Sequence, residues 1–154
     1  MKRTSLLAAF LGVAMLLSAR AQARPWQGIT PGKSTKPEVA KAFGKPHRTL
    51  SKAGKCNELH NYQGEQAIRG TKQTNVCFDS AGVVLEISVF PDRSLTRELV
   101  EEAYGSKYQK KLTDEFREYY FYKDQGMAVF WDKDGKTVHS LLFTVEKGGD
   151  SGKP

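Results

Sequence analysis

Few residues in this sequence have types and spacings that could do chemistry. Gly32-Lys33-Ser34-Thr35 has the ending of a phosphate-binding loop, whose backbone N–H groups cradle phosphate while the lysine reaches it. That loop needs a glycine five positions before Gly32, where Gln27 stands, with Gly28 one residue out of step. Asp132-x-Asp134-Gly135 opens like a calcium loop but lacks its remaining ligands. His47, His60 and His139 show neither H-x-x-x-H nor H-x-H spacing, and none is read as having a Cys, Asp or Glu at ligand spacing on its own element. No G-x-S-x-G marks a nucleophilic serine. Cys77 and His60 could form a thiol–imidazole pair only if the cysteine were free. With no nucleophile joined to a base, the sequence predicts a protein that is not an enzyme and uses no metal and no cofactor.

Binding is the better-supported chemistry. Tyr119, Tyr120, Phe121 and Tyr122 run consecutively, and Trp131 follows nine residues later. Tyrosine and tryptophan supply large, rigid contact area, so these five are the candidate partner-binding residues. Strand alternation puts two of the four on each face of a sheet, and Phe130 opposite Trp131. Half of the run is therefore expected in the core. Lys107, Lys110 and Lys111 form a basic stretch able to touch an anionic surface, at about 1 kcal/mol per charge; a solvated linker explains the same letters.

Elements must hold these residues in place, and the first question is which part of the chain folds. Lys2 and Arg3 precede an apolar run over residues 6–17, and Ala21-Gln22-Ala23 has the small-x-small pattern of a signal peptidase site. Residues 1–23 thus read as a signal peptide cleaved near Ala23. With no cysteine beside the cleavage region, the product is not a lipoprotein. Removing Lys2, Arg3 and Arg20 lowers Lys+Arg from 24 to 21 against 17 acids, so the formal charge falls from +7 to +4. That excess is too mild for a nucleic-acid footprint. A periplasmic or secreted location is oxidising, so Cys56 and Cys77 are expected to form a disulfide, with two free thiols the alternative.

The remainder reads as one α+β domain, 24–146, followed by a disordered Gly/Ser/Lys tail, 147–154. Ser34 or Thr35 can cap a short helix in which Val39, Ala42 and Phe43 share one face and Gly44 supplies the stop. Thr96, Val100, Ala103, Tyr104 and Gly105 repeat that pattern sixty-one residues later. After the first helix, residues 48–55 read as a loop, 57–63 as a weak strand, and 64–73 as a long hairpin connection. Residues 75–78 and 83–90 then flank the turn Asp79-x-x-Gly82, with the core face of the last strand on odd numbers. After the second helix, 106–114 reads as a basic linker, and strands 116–122, 127–131 and 137–145 follow. The turn Asp132-x-x-Gly135 corresponds to Asp79-x-x-Gly82. Two units, 33–91 and 94–146, each one helix plus three strands, would give a six-stranded antiparallel sheet with both helices on one face.

The phrase from Gly32 through Thr35, Glu38 and Val39 to Phe43-Gly44-Lys45-Pro46 resembles the G-x-[ST]-x-x-[ED]-V and [LF]-G-x-P opening of the SmpA/OmlA (BamE-like) family. The hairpin carrying Asp79 and Gly82 is similar to that family's [FW]-[DN]-x-x-G-x-[LV]. A tandem pair of such units resembles the arrangement of the β-lactamase inhibitor protein. The resemblance implies a protein-binding module, either an envelope or outer-membrane assembly factor or a secreted inhibitor of a hydrolase such as a β-lactamase. Its partner would be a cell-envelope protein or a secreted enzyme.

Overall fold

A computed structural model describes residues 23–145. The signal peptide, apart from Ala23, and the C-terminal tail lie outside the described residues. Helix α1 (Lys36–Phe43) starts where the sequence places it: Glu38 reaches back to accept from the Thr35 N–H at 2.7 Å. Those hydrogen bonds from Thr35 hold the Glu38 carboxyl below its ordinary range. Helix α2 (Arg97–Tyr104) follows Thr96, whose hydroxyl accepts from the Leu99 N–H at 3.5 Å. Gly44 and Gly105 end the two helices at φ 73° and 85°, a region that an L side chain resists.

The strands are β1 (Arg48–Ala53), β2 (Cys56–Gln63), β3 (Thr71–Phe78), β4 (Val84–Pro91), β5 (Gln109–Leu112), β6 (Glu118–Tyr122), β7 (Met127–Trp131) and β8 (Val138–Thr144). They form one antiparallel sheet in the order β1-β2-β3-β4-β8-β7-β6-β5. Eight strands replace the expected six. The two additions are β1, read from sequence as a loop, and β5, read as a linker. Both are sheet edges, and nearly every residue in them is exposed. With solvent on both sides there is no apolar alternation to betray a strand.

Register shows which face is covered. Tyr62 pairs with Thr74, Thr74 with Val89, Val89 with Leu141, Leu141 with Val129, and Val129 with Tyr120. Paired residues point to the same side, so this buried row runs across six strands on a single face. Phe43 of α1 packs edge-on against Tyr62 at 5.8 Å, and Tyr104 of α2 lies 6.1 Å from Tyr122. Both helices therefore sit on that face, and Val39 and Val100 enter the same core cluster as the strands.

Three register shifts modify the alternation; one leaves Lys72 of β3 unpaired, between Thr71 with Pro91 and Gln73 with Phe90, and the other two lie at matching places in the sheet. Phe78 pairs with Val84 and Cys77 with Glu86, leaving Leu85 unpaired; Trp131 pairs with Val138 and Phe130 with Ser140, leaving His139 unpaired. The odd-number rule for β4 thus holds for Ile87 and Val89, but Val84, not Val83 or Leu85, takes the core position. Each extra residue shifts the phase by one.

The lead-in segment turns at Trp26–Ile29 and lays the indole 5.6 Å from Phe43 and 6.4 Å from Phe143. Ala23, the last residue assigned to the leader, is buried against Gly126. A side chain at Gly126, whose φ is 56°, would strike the Thr144 carbonyl oxygen at 2.5 Å. Cys56 and Cys77 form a disulfide that ties β2 to β3, with Cα atoms 5.3 Å apart.

Candidate binding face of the sheet

The opposite face carries the neighbouring row: Asn61, Asn75, Ser88, Leu142, Ala128 and Phe121, linked by the same pairings. Neither helix packs here. From β4 through β8, β7 and β6 the face carries aromatic and apolar side chains among the polar residues Glu86, Ser88, Ser140 and Thr144. Tyr119 and Phe130 stack at 5.0 Å with their planes 19° apart. Phe121 lies one pair along, and the Lys111 ammonium sits 4.3 Å above its ring. Phe90 meets the exposed ring of His139 edge-on at 5.6 Å. Tyr119, Phe121, Phe130, Leu142 and Phe90 are all half-buried. Toward β1 the same face is lined by amides: Asn61 Nδ2 donates to Asn75 Oδ1 at 2.7 Å, and Gln73 Nε2 donates to that oxygen at 3.3 Å.

The five residues expected to bind a partner divide between the two faces. Tyr119 and Phe121 lie on the open face. Tyr120, Tyr122 and Trp131 are buried beneath the helices, with 2%, 0% and 5% of their surface exposed. Their expected role as direct contact surface is corrected: they are core residues, because the pairing of Tyr120 with Val129 and the packing of Tyr104 on Tyr122 fix them on the helix side. Burial pushes the Tyr122 hydroxyl up to about 12, and it donates to the Gly105 carbonyl at 2.9 Å. Phe130, Phe90 and Leu142 join the open face without having been singled out. The signal was available for Phe130, which must point away from Trp131 and pair across the strands with an aromatic residue.

The three lysines do not form one patch. Lys110 pairs with Tyr120 and lies 5.7 Å over its ring on the helix side, whereas Lys111 pairs with Tyr119 on the open side. Lys107 is exposed ahead of β5.

Each helix begins with a cation that ties it to a strand. Lys36 bonds Glu58 on β2 at 2.8 Å, and His60 Nε2 meets the other oxygen of that carboxylate at 2.6 Å. His60 thus does have an acidic neighbour on its own strand, contrary to the sequence expectation, because residues two apart share a face. Its ring packs edge-on against Phe78 at 4.7 Å. The bonds from Lys36 and then His60 hold the Glu58 carboxyl below its ordinary range. At α2, Arg97 Nη2 meets Glu118 at 3.3 Å, Arg97 Nε donates to the Gly135 carbonyl at 2.8 Å, and Nη1 donates to the Tyr120 hydroxyl. Its guanidinium lies 4.6 Å over Trp131. Both arrangements act as struts between a helix start and the sheet. His139 Nδ1 similarly meets Asp132 at 3.1 Å in an exposed pair. Asp134 accepts from the Lys136 and Thr137 N–H groups, so the calcium-like phrase closes a turn. Cys56, Cys77 and Glu86 lie close enough to suggest a metal site, but the sulfurs are joined to each other and are not thiolates.

No family model matches the chain, and none of the curated proteins does. Among solved structures, the chain is similar to a DUF4309 family protein (YjgB) from Bacillus subtilis, at 19% identity and a TM-score of 0.57, over 79% of this chain and 86% of that one. At that identity the likeness is one of fold.

Proposed function

We propose that this chain is a non-catalytic, periplasmic or secreted protein-binding module of SmpA/OmlA (BamE-like) type, and that the aromatic part of its open sheet face docks a protein partner in envelope or outer-membrane assembly. The observation that carries this reading is the set Tyr119, Phe121, Phe130, Leu142 and Phe90, half-buried on a face that neither helix covers. Apolar surface of this kind favours association, and stacked aromatics give much of it at low entropic cost.

Export is supported by the basic-apolar-small start of the sequence and by the disulfide. Duplication of one helix-and-strand unit is part of the proposal, and matched details support it. Tyr62 and Tyr122 each donate to the glycine carbonyl that ends a helix, and Thr35 and Thr96 each bridge to the residue just before β4 and β8 respectively. Leu85 and His139 are bulge residues, each the second residue of its strand. An arrangement of two such units in one continuous sheet also favours a second reading, a secreted inhibitor of a hydrolase such as a β-lactamase.

The test is a crosslinking pull-down from native envelope with protein beginning at Arg24, beside a Tyr119→Ala, Phe121→Ala, Phe130→Ala variant. A specific partner captured by the first and lost with the second supports the docking face. Capture that survives the triple change overturns it. An envelope complex favours the assembly reading, and a hydrolase that loses activity on binding favours the inhibitor. Turnover of an envelope substrate by the purified protein would overturn the non-catalytic reading.

A further inference from the structure

Two overlapping small-x-small frames follow the apolar run over residues 6–17, Ala19-Arg20-Ala21 and Ala21-Gln22-Ala23, and each has the small residues that a signal peptidase reads. Resting on the export reading above, we propose that the cut falls after Ala21. The mature chain then begins at Gln22 and keeps Ala23 as a structural residue.

Ala23 is built into the fold. It is 2% exposed, and its methyl fills space that a side chain on Gly126 would claim: a Cβ there would stand 2.9 Å from the Ala23 Cα and 3.2 Å from its Cβ. Gly126 immediately precedes β7, and its carbonyl accepts from the Thr144 N–H of β8 at 2.9 Å. Ala23 therefore covers the end of the β7–β8 pairing. The next residue continues the attachment. The Gln125 carbonyl accepts from the Arg24 backbone N–H at 2.7 Å, and the Gln125 side-chain oxygen accepts from Arg24 Nη1 at 2.6 Å. That same Gln125 side chain donates through Nε2 to the Tyr104 carbonyl at 2.9 Å, and the Arg24 guanidinium lies 5.1 Å from the Tyr104 ring. The segment at Ala23 and Arg24 thus straps the β6–β7 turn to the end of α2.

A cut after Ala23 would undo part of this strap. It removes the buried methyl and opens the space beside Gly126 to water. It also turns the Arg24 backbone N–H, one donor facing one acceptor, into an ammonium with three hydrogens, of which the Gln125 carbonyl takes one. The new charge would stand on a residue that already carries a guanidinium. A cut after Ala21 instead places the ammonium two residues further out, on Gln22, and leaves the peptide between Ala23 and Arg24 intact. The peptidase meets the chain before it folds, so burial blocks neither frame. What separates the frames is that the first yields the product whose fold is complete.

The test is the intact mass of the full chain, made with its own leader and recovered from the periplasm and medium of its native host. The recovered protein should exceed a form beginning at Arg24 by one glutamine and one alanine residue, less one ammonia where the terminal glutamine has cyclised. Ala19→Asp spoils only the first frame and should abolish that product; its persistence overturns the assignment to that frame. A second measurement isolates the structural role. Proteins beginning at Gln22 and at Arg24, each released from a fusion without extra residues, should differ by about fourfold or more in folding equilibrium constant, as loss of one buried methyl predicts. Equal urea midpoints overturn the role of Ala23. A native mass that begins at Arg24 overturns the cut and leaves export standing, whereas an uncut chain overturns both.

Discussion

Tyr62 and Tyr122 occupy matching places under the two helices, each fully buried, each pushed up to about 12 by that burial, and each donating to the glycine carbonyl that ends its helix. One layer away, across the same strands, the match is lost. The face behind Tyr62 carries Asn61, Gln73 and Asn75, which satisfy one another by hydrogen bonds, while the face behind Tyr122 carries Tyr119, Phe121 and Phe130. An amide cluster closed on itself is at ease in water. Half-buried rings have only the hydrophobic effect to satisfy, and a partner can do so. The covered side of this sheet is constrained by packing, and the open side is where the two halves differ.

The largest effect should come from breaking the covered side. Tyr122→Ala leaves a core cavity and should cost about 3–5 kcal/mol in urea unfolding, whereas Tyr119→Ala on the same strand should cost about 1 kcal/mol or less. Equal losses would mean that the open face is packed as a core. Next is the disulfide, which only the first half has. A Cys56→Ser, Cys77→Ser variant should lose about 3 kcal/mol, as expected for closing a loop of this length. Protection from hydrogen exchange should fall first in β2 and β3, and a uniform fall across β5–β8 would refute that localisation.

Smaller changes probe the tyrosine pair directly. Tyr122→Phe removes a 2.9 Å hydrogen bond and should cost about 1 kcal/mol, while Tyr62→Phe removes one of 3.5 Å and should cost less. Both hydroxyls have folded-state pKa values above their unfolded ones. The stability they contribute is present below the ordinary tyrosine pKa of about 10 and is lost as pH rises toward about 12. Alkaline unfolding should therefore begin in that window and move to higher pH in the double phenylalanine variant. Glu58 works in the opposite sense. Its depressed carboxyl contributes stability above the ordinary glutamate range that is lost as pH falls through its folded value. Lys36→Met should flatten that acid limb, as followed by circular dichroism.

The helices were legible because their signals are local: a capping threonine, a buried valine and a terminal glycine recur at one offset. Strands β2–β4 and β6–β8 were legible in outline, with β3 longer at its start than 75–78. The edge strands were not, since Arg48–Ala53 and Gln109–Leu112 bury almost nothing and leave no pattern to read. The alternation of Tyr119 to Tyr122 gave the correct split, two residues to a face. It could not say which face the helices cover, because that depends on contacts such as Phe43 with Tyr62 and Tyr104 with Tyr122. Trp131 was misjudged for the same reason.

The strand order also bears on how the molecule is made and damaged. The last strand among the described residues, β8, lies in the middle of the sheet between β4 and β7. During synthesis β4 must wait, with Ile87 and Val89 along its unpaired edge, until residue 144 has been made. A nick or premature stop that removes β8 takes away the seam rather than a border. It leaves two small half-sheets, each with a raw edge suited to pairing with another chain.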